Sequence, residues 1–175
     1  TGSVTQTAGT LYNGDTLGGA NLSSTANASS ALGNYTLTAT GQTFSVGNAG
    51  NYNITLVDGT LSVNPASLTI TANNANATYG QGTALASSAF SSTGLVNGES
   101  IGAVTLASNG IAASSAVGSY NITAANATGG TFTPGNYNIS YANGTLTVNP
   151  ASLTIAANSA SKQYGSVTTF ASSAF

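Results

Sequence analysis

Charge is almost absent from this chain. Charged residues make up 2% of its 175 positions, against roughly 25% in ordinary soluble domains. There is one basic residue, Lys162, and there are three acids, Asp15, Asp58 and Glu99. Cysteine, histidine, methionine and tryptophan are missing altogether. Each absence excludes a class of chemistry. Without histidine, no Ser or Thr has the usual base beside it for nucleophilic catalysis. Lys162 cannot serve every module, because Ala77 stands at its repeat equivalent. Zinc ligands are lacking, and the carboxylates are too few for a calcium cage. Nucleic-acid binding fails for want of cations. The glycines are scattered among turns and form no phosphate loop ahead of a helix. A disulfide framework is impossible, so a small module must hold by its core and its neighbours. No catalytic residue, metal ligand or cofactor is therefore expected, and the chain is read as not an enzyme.

What is present is repetition. Asn64-Pro65-Ala66-Ser67-Leu68-Thr69-Ile70 returns as Asn149-Pro150-Ala151-Ser152-Leu153-Thr154-Ile155, a step of 150 − 65 = 85. Tyr79-Gly80 returns as Tyr164-Gly165, and Gly50-Asn51-Tyr52-Asn53-Ile54-Thr55 as Gly135-Asn136-Tyr137-Asn138-Ile139-Ser140. Leu11-Tyr12-Asn13-Gly14-Asp15 aligns with Leu95-Val96-Asn97-Gly98-Glu99 at a step of 95 − 11 = 84, so one residue has slipped near Ala113. Self-similarity at constant phase means tandem modules. The expected division is the C-terminal part of one module over 1–64, a complete module over 65–149 and the N-terminal part of the next over 150–175. The chain is read as a window on a longer polypeptide, cut inside a module at both ends.

Within one period the regular signal is two-residue alternation, the mark of half-buried strands. Leu68, Ile70 and Ala72 alternate with Thr69 and Thr71, Val104 and Leu106 flank Thr105, and Tyr120 and Ile122 alternate with Asn121 and Thr123. Tyr137, Ile139 and Tyr141 alternate with Asn138 and Ser140, and Leu146 and Val148 with Thr145 and Thr147. The outward residues are Thr, Ser or Asn, and Thr suits a pleated surface because its branched Cβ is already restrained. Asn143-Gly144 and Asp58-Gly59 are hairpin signals. They predict that Tyr137–Tyr141 pairs with Thr145–Val148, and Tyr52–Leu56 with Thr60–Val63. Tyr52, Tyr137 and Tyr141 are read as core, and Tyr79 and Tyr164 as rim residues capping it. Only Ala84–Phe90 and Leu95–Ile101 could hold a short helix. At Asn64-Pro65 and Asn149-Pro150 the residue before proline is pushed to extended conformations. These joints should hand one module stiffly to the next. The expected architecture is mainly β: tandem small antiparallel modules, sandwich-like or β-grasp-like, in an elongated rod.

Three phrases carry a family resemblance. They are Gly-Asn-Tyr-Asn-Ile-Ser-Tyr-Ala-Asn-Gly-Thr-Leu-Thr-Val-Asn-Pro-Ala (135–151), Leu-Thr-Ile-Thr-Ala-Asn-Asn-Ala-Asn-Ala-Thr-Tyr-Gly (68–80) and Gly-Leu-Val-Asn-Gly-Glu-Ser (94–100). In this order and spacing the chain resembles the MBG/YDG-type tandem repeat domains of bacterial secreted adhesins, often within filamentous-haemagglutinin-like exoproteins. The resemblance implies an extracellular or cell-surface protein built of many such modules. It transfers no binding residue, and the low charge sets this chain apart from typical members.

Three functions fit: a stalk or fibre region of an adhesin or extracellular filament, a glycan- or mucin-binding module, and a filament subunit that exchanges strands with neighbouring chains. The last notes that residues 151–175 carry what the module in 1–64 lacks. Expected partners are neighbouring copies of the repeat, with host or environmental glycans as the other class; no nucleic acid and no membrane insertion are expected. Asn-X-Ser/Thr triplets stand at Asn21, Asn27, Asn34, Asn53, Asn76, Asn121, Asn126, Asn138 and Asn143. They are candidate glycosylation sites, although this composition alone yields roughly six by chance. The acids are expected to be dispensable for the fold. Stability should then barely change with salt, or with pH between about 4 and 9, because few groups titrate. A melting temperature that moved strongly across that window would contradict this reading.

Overall fold

The computed structural model describes residues 4–170. Strands dominate it: β1 (Thr16–Ser23), β2 (Gly33–Val46), β3 (Gly59–Val63), β4 (Ala66–Ala72), β5 (Ala75–Thr78), β6 (Phe90–Thr93), β7 (Ile101–Ala107), β8 (Gly118–Gly130), β9 (Tyr137–Ala142) and β10 (Gly144–Asn149). Two single 3-10 turns, Ala49–Asn51 and Pro134–Asn136, are the only helical elements among the described residues. They precede the Tyr52 and Tyr137 segments. Asn48 caps the first through its side chain, which accepts from the Gly50 amide at 2.9 Å, and Pro134 opens the second. The segments proposed for a short helix, Ala84–Phe90 and Leu95–Ile101, instead form turns and strand ends.

β4 to β10 build a two-layer module. One sheet has the order β5-β10-β8-β7 and the other β6-β4-β9. The alternation foreseen for each strand sets their facing surfaces. Leu68, Ile70 and Ala72 of β4 meet Val104, Ile122, Ala124 and Leu146 of the opposite sheet, with Phe132 and Tyr137 closing one end. Leu68, Ile70, Ile122, Leu146 and Val104 are fully buried. Each such aliphatic side chain contributes about 1.5–3 kcal/mol relative to exposure. Of the two shapes expected, the helix-free pair of facing sheets is the sandwich-like one.

The expected hairpins do not form. β9 pairs in parallel with β4, from Ala66 opposite Tyr137 to Thr71 opposite Ala142. β10 lies in the other sheet, antiparallel to β8 and parallel to β5. Asn143-Gly144 is thus a crossover between layers. Neither residue has positive φ, as a tight hairpin turn would require, and nor do Asp58 and Gly59. Glycine is needed at 144 for a different reason. It is buried in β10, and a Cβ there would lie 2.5 Å from the Ala72 carbonyl oxygen and 2.8 Å from that of Asn73. True two-residue turns with both φ positive occur at Asn13-Gly14 and Asn97-Gly98. Tyr141 is also corrected: it is 38% exposed, and its hydroxyl accepts from the Ala127 amide at 2.9 Å.

Residues 4–63 repeat half of this plan. β1, β2 and β3 form a three-stranded antiparallel sheet, the counterpart of β7, β8 and β10. Residues 52–57, the counterpart of β9, have no strand pairing. The expected Tyr52–Leu56 hairpin with Thr60–Val63 fails because β3 pairs with β2 instead.

Gly144→Ala should lower stability by about 1–3 kcal/mol, the usual cost of forcing a methyl into packed backbone. Gly135→Ala, whose Cβ meets nothing within 4 Å, should be neutral. Equal denaturation midpoints for the two variants would return Gly144 to a simple turn role.

Candidate functional site

Chemistry-bearing side chains are scarce, so the site features are structural: a recurrent acid–tyrosine contact, an open groove, an exposed apolar segment and the proline joints. The acids come first. The turns Tyr12–Asp15 and Val96–Glu99 are each closed by a backbone hydrogen bond, Asp15 N to Tyr12 O at 2.9 Å and Glu99 N to Val96 O at 3.0 Å. Both aim a carboxylate at a tyrosine. Tyr52 donates to Asp15 Oδ2 at 2.8 Å while accepting from the Tyr12 amide at 3.0 Å. Tyr137 donates to Glu99 Oε2 at 2.6 Å while accepting from the Val96 amide at 3.2 Å. One hydroxyl thus ties a turn to the core edge in each module. The expectation that these acids are dispensable needs correcting: they anchor Tyr52 and Tyr137. Matching Asn-Gly-acid turns were legible in the sequence. Their partners were not, since nothing local joins residues 37 or 38 positions apart.

The contacts shift both phenols. Hydrogen bonding to the Glu99 carboxylate, then burial, raises Tyr137 above its ordinary 10.0, against the opposing Val96 amide. For Tyr52 the Tyr12 amide pulls downward, but burial and Asp15 outweigh it, and the net direction is also up. A second tyrosine lock recurs: Tyr35 donates to Ala31 O at 2.8 Å and Tyr120 to Ala116 O at 2.9 Å.

The groove lies in the first module. It has a volume of about 450 Å³ and is walled by Leu17, Leu22, Leu37, Phe44, Ile54 and Leu56, with residues 4–11 along one side. Phe44 stacks on Tyr52 at 5.4 Å between centroids. Two positions of the sheet are better covered in the second module. Ile122, the equivalent of Leu37, is fully buried, and Leu146 is fully buried where Leu61 is 39% exposed. An exposed segment without strand pairing follows β10. Ala151–Ala157 repeats β4, yet Leu153 is 82% and Ile155 67% exposed, against 1% for Leu68 and 0% for Ile70.

The remaining sequence sites are placed as follows. All nine candidate glycosylation asparagines are exposed. Two are engaged: Asn27 Oδ1 accepts from the Ser29 amide at 2.9 Å, and Asn34 Oδ1 from Ser62 Oγ at 2.7 Å. Asn64 and Pro65 alone separate β3 from β4. Asn149 ends β10, its carbonyl accepting from the Tyr79 amide at 2.8 Å, and Pro150 follows without strand pairing. Among the described residues no group of three or more His, Cys, Asp or Glu could hold a metal. No helix there is long and apolar enough to cross a membrane.

The family model described as MBG domain (YGX type) matches residues 1–62 and again 68–147. The chain belongs to the MBG domain family. Its Tyr79-Gly80-Gln81 has the form of the YGX phrase and ends β5 in a turn, with Gln81 N bonded to Thr78 O at 3.0 Å. No curated protein and no solved structure matches this MBG chain.

Tyr137→Phe should cost about 1.5–3 kcal/mol at neutral pH, the worth of a hydrogen bond to a charged acceptor. Because the folded tyrosine values are raised, the stability they supply is full below the ordinary 10.0 and is lost as pH climbs through the folded value. Alkaline denaturation should therefore set in above pH 10.0 and be shallower in Tyr137→Phe. A parallel pH profile for the two proteins would count against this role.

Proposed function

We propose that this chain is the structural repeat region, a stalk or fibre, of an adhesin-like protein at the cell surface or secreted from it, with no catalytic role. The observation that carries the reading is the joint between two successive MBG modules. Only Asn64 and Pro65 lie between the last strand of one and the first strand of the next. Proline fixes its own φ and holds the preceding residue extended. Asn97 Nδ2 also reaches across the joint to Ala28 O at 3.2 Å. A short joint of this kind limits swivelling, and repeated at constant geometry it gives a straight or gently helical rod. The near absence of charge suits an extracellular fibre, since there is little for salt or pH to alter. A single Lys and no Arg leave almost no trypsin-type cleavage sites.

Glycan binding has less support. Tyr79 and Tyr164 recur at matching positions and are 50% and 107% exposed, but Phe170, the exposed aromatic nearest Tyr164 along the chain, has Leu85 as its counterpart. Tyr12, 65% exposed, has Val96 as its counterpart, so no aromatic cluster is common to both modules.

Inserting Gly-Gly-Ser after Pro65 should broaden the intramolecular distance distribution in small-angle scattering of the monomer while leaving the circular dichroism spectrum unchanged. An unaltered distribution would remove the stiff-stalk reading.

A further inference from the structure

Four Asn-Gly dipeptides stand in this chain, at Asn13-Gly14, Asn97-Gly98, Asn109-Gly110 and Asn143-Gly144. The chemistry open to such a pair is intramolecular. The glycine amide nitrogen can close on the asparagine Cγ in a five-membered ring, and glycine has no side chain to hinder it. In the sequence the four sites are equivalent; in the fold they are not. Closure requires the peptide between the two residues to rotate and its N–H to be free. Gly144 is buried in β10, within the ladder to β8, and stands against the carbonyls of Ala72 and Asn73. Its peptide cannot turn without opening the sheet. Gly110 is also buried: its amide donates to Ser108 Oγ at 3.3 Å, and a Cβ there would lie 2.6 Å from the Tyr120 ring.

Gly98 and Gly14 are the opposite case. They and their asparagines are exposed, and a Cβ on either glycine would meet nothing within 4 Å. Neither amide donates a hydrogen bond among the described residues. Both residues of each pair have positive φ, 54° and 71° at Asn97-Gly98, 55° and 77° at Asn13-Gly14. Asparagine is less at ease in that region than glycine. One backbone bond closes each turn, Glu99 N to Val96 O at 3.0 Å or Asp15 N to Tyr12 O at 2.9 Å.

We propose that the Asn97-Gly98 turn and its repeat Asn13-Gly14 are self-modifying sites, which convert asparagine to aspartate and isoaspartate in the folded protein, while the fold protects Asn109 and Asn143. The step needs only water and hydroxide. Hydroxide removes the Gly98 amide proton, the nitrogen attacks Asn97 Cγ, and the N–Cγ bond forms. The carboxamide C–N bond breaks, and ammonia leaves after taking a proton from water. Water then opens the cyclic imide. Cleavage of the new N–Cγ bond gives aspartate. Cleavage of the original peptide C–N bond gives isoaspartate, whose main chain runs through Cγ and is one atom longer.

Either product places a new carboxylate in a chain that has three acids. At Asn97 it stands two residues from Glu99, whose carboxylate accepts from Tyr137 at 2.6 Å. The extra main-chain atom of isoaspartate falls inside the turn that Glu99 N closes on Val96 O, and the Val96 amide is the other partner of the Tyr137 hydroxyl. Modification therefore loosens the contact that ties this turn to the core edge. Loss of Nδ2 also removes the bond from Asn97 to Ala28 O at 3.2 Å. What that does to the joint rests on the stalk reading above, whereas the chemistry stands without it.

The test is a time course on the intact chain at mildly alkaline pH, below the range where tyrosines ionise. Chymotrypsin replaces trypsin, which has a single Lys to cut at, and the peptides are mapped by mass spectrometry with fragmentation that separates aspartate from isoaspartate. Asn97 and Asn13 should convert about tenfold or more faster than Asn109 and Asn143, since a turn opens locally while β10 opens only with the module. In the guanidinium-unfolded chain the four should convert at similar rates, so that the fold and not the sequence sorts them. The aged chain should melt at a lower temperature than its fresh sample. Asn13→Gln/Asn97→Gln, whose longer side chains would need a six-membered ring, should melt alike before and after ageing. Conversion of Asn143 as fast as Asn97 in the folded chain, an Asn97 that persists while the unfolded chain converts, or an equal fall in melting temperature in the double variant would overturn the proposal. Scattering of the Pro65 insertion variant, which leaves these turns untouched, reports on the stalk reading independently.

Discussion

Everything in the complete module depends on one strand being between two others. β4 supplies Leu68, Ile70 and Ala72 to the core and hydrogen bonds to β6 on one side and β9 on the other. Take it away and two segments lose their pairing partner together, and the inner face of the opposite sheet loses its cover. The first module displays that condition. Its three-stranded sheet is formed, but residues 52–57 have no strand pairing, and Leu61 is 39% exposed where its counterpart Leu146 is fully buried. The described residues thus show one plan with this strand and part of the same plan without it. The difference between them measures what the strand does.

The chain meets this dependence with very little chemical variety. Surface polarity comes from Thr, Ser and Asn, and cohesion from alternating aliphatic residues. The few acids are not surface decoration. Asp15 and Glu99 each hold a tyrosine hydroxyl that also receives a turn amide, and so each fixes the approach of β1 or β7 to the core edge. A hydrogen bond to a charged acceptor is worth more than a neutral one. With so few charges to distribute, both modules place one at the same joint of turn and core.

Strands were legible wherever inward aliphatics alternated with Thr or Asn, as in β4, β7 and β10, because the pleat imposes a period of two on any half-buried strand. Partners were not legible. Asn143-Gly144 has the composition of a tight turn, but composition cannot distinguish φ > 0 from a demand for bare space, and at Gly144 it is the Ala72 carbonyl that forbids a side chain. Parallel pairing of β4 with β9 spans most of the module and leaves no local trace. The tyrosine–acid contacts were hidden for the same reason. Tyr141 shows the limit of alternation: it has the inward phase of Tyr137 but lies near the end of its strand, where the covering layer runs out.

Amide hydrogen exchange, residue by residue, tests most directly the claim that the Leu68–Ala72 strand is what closes an MBG module. At low protein concentration the amides of β9, Tyr137–Ala142, should be protected nearly as well as those of β8, while their counterparts at residues 52–57 should exchange at close to the open-chain rate. Equal protection of the two segments would contradict the account, because it would mean that β4 is not what holds the edge segment in place.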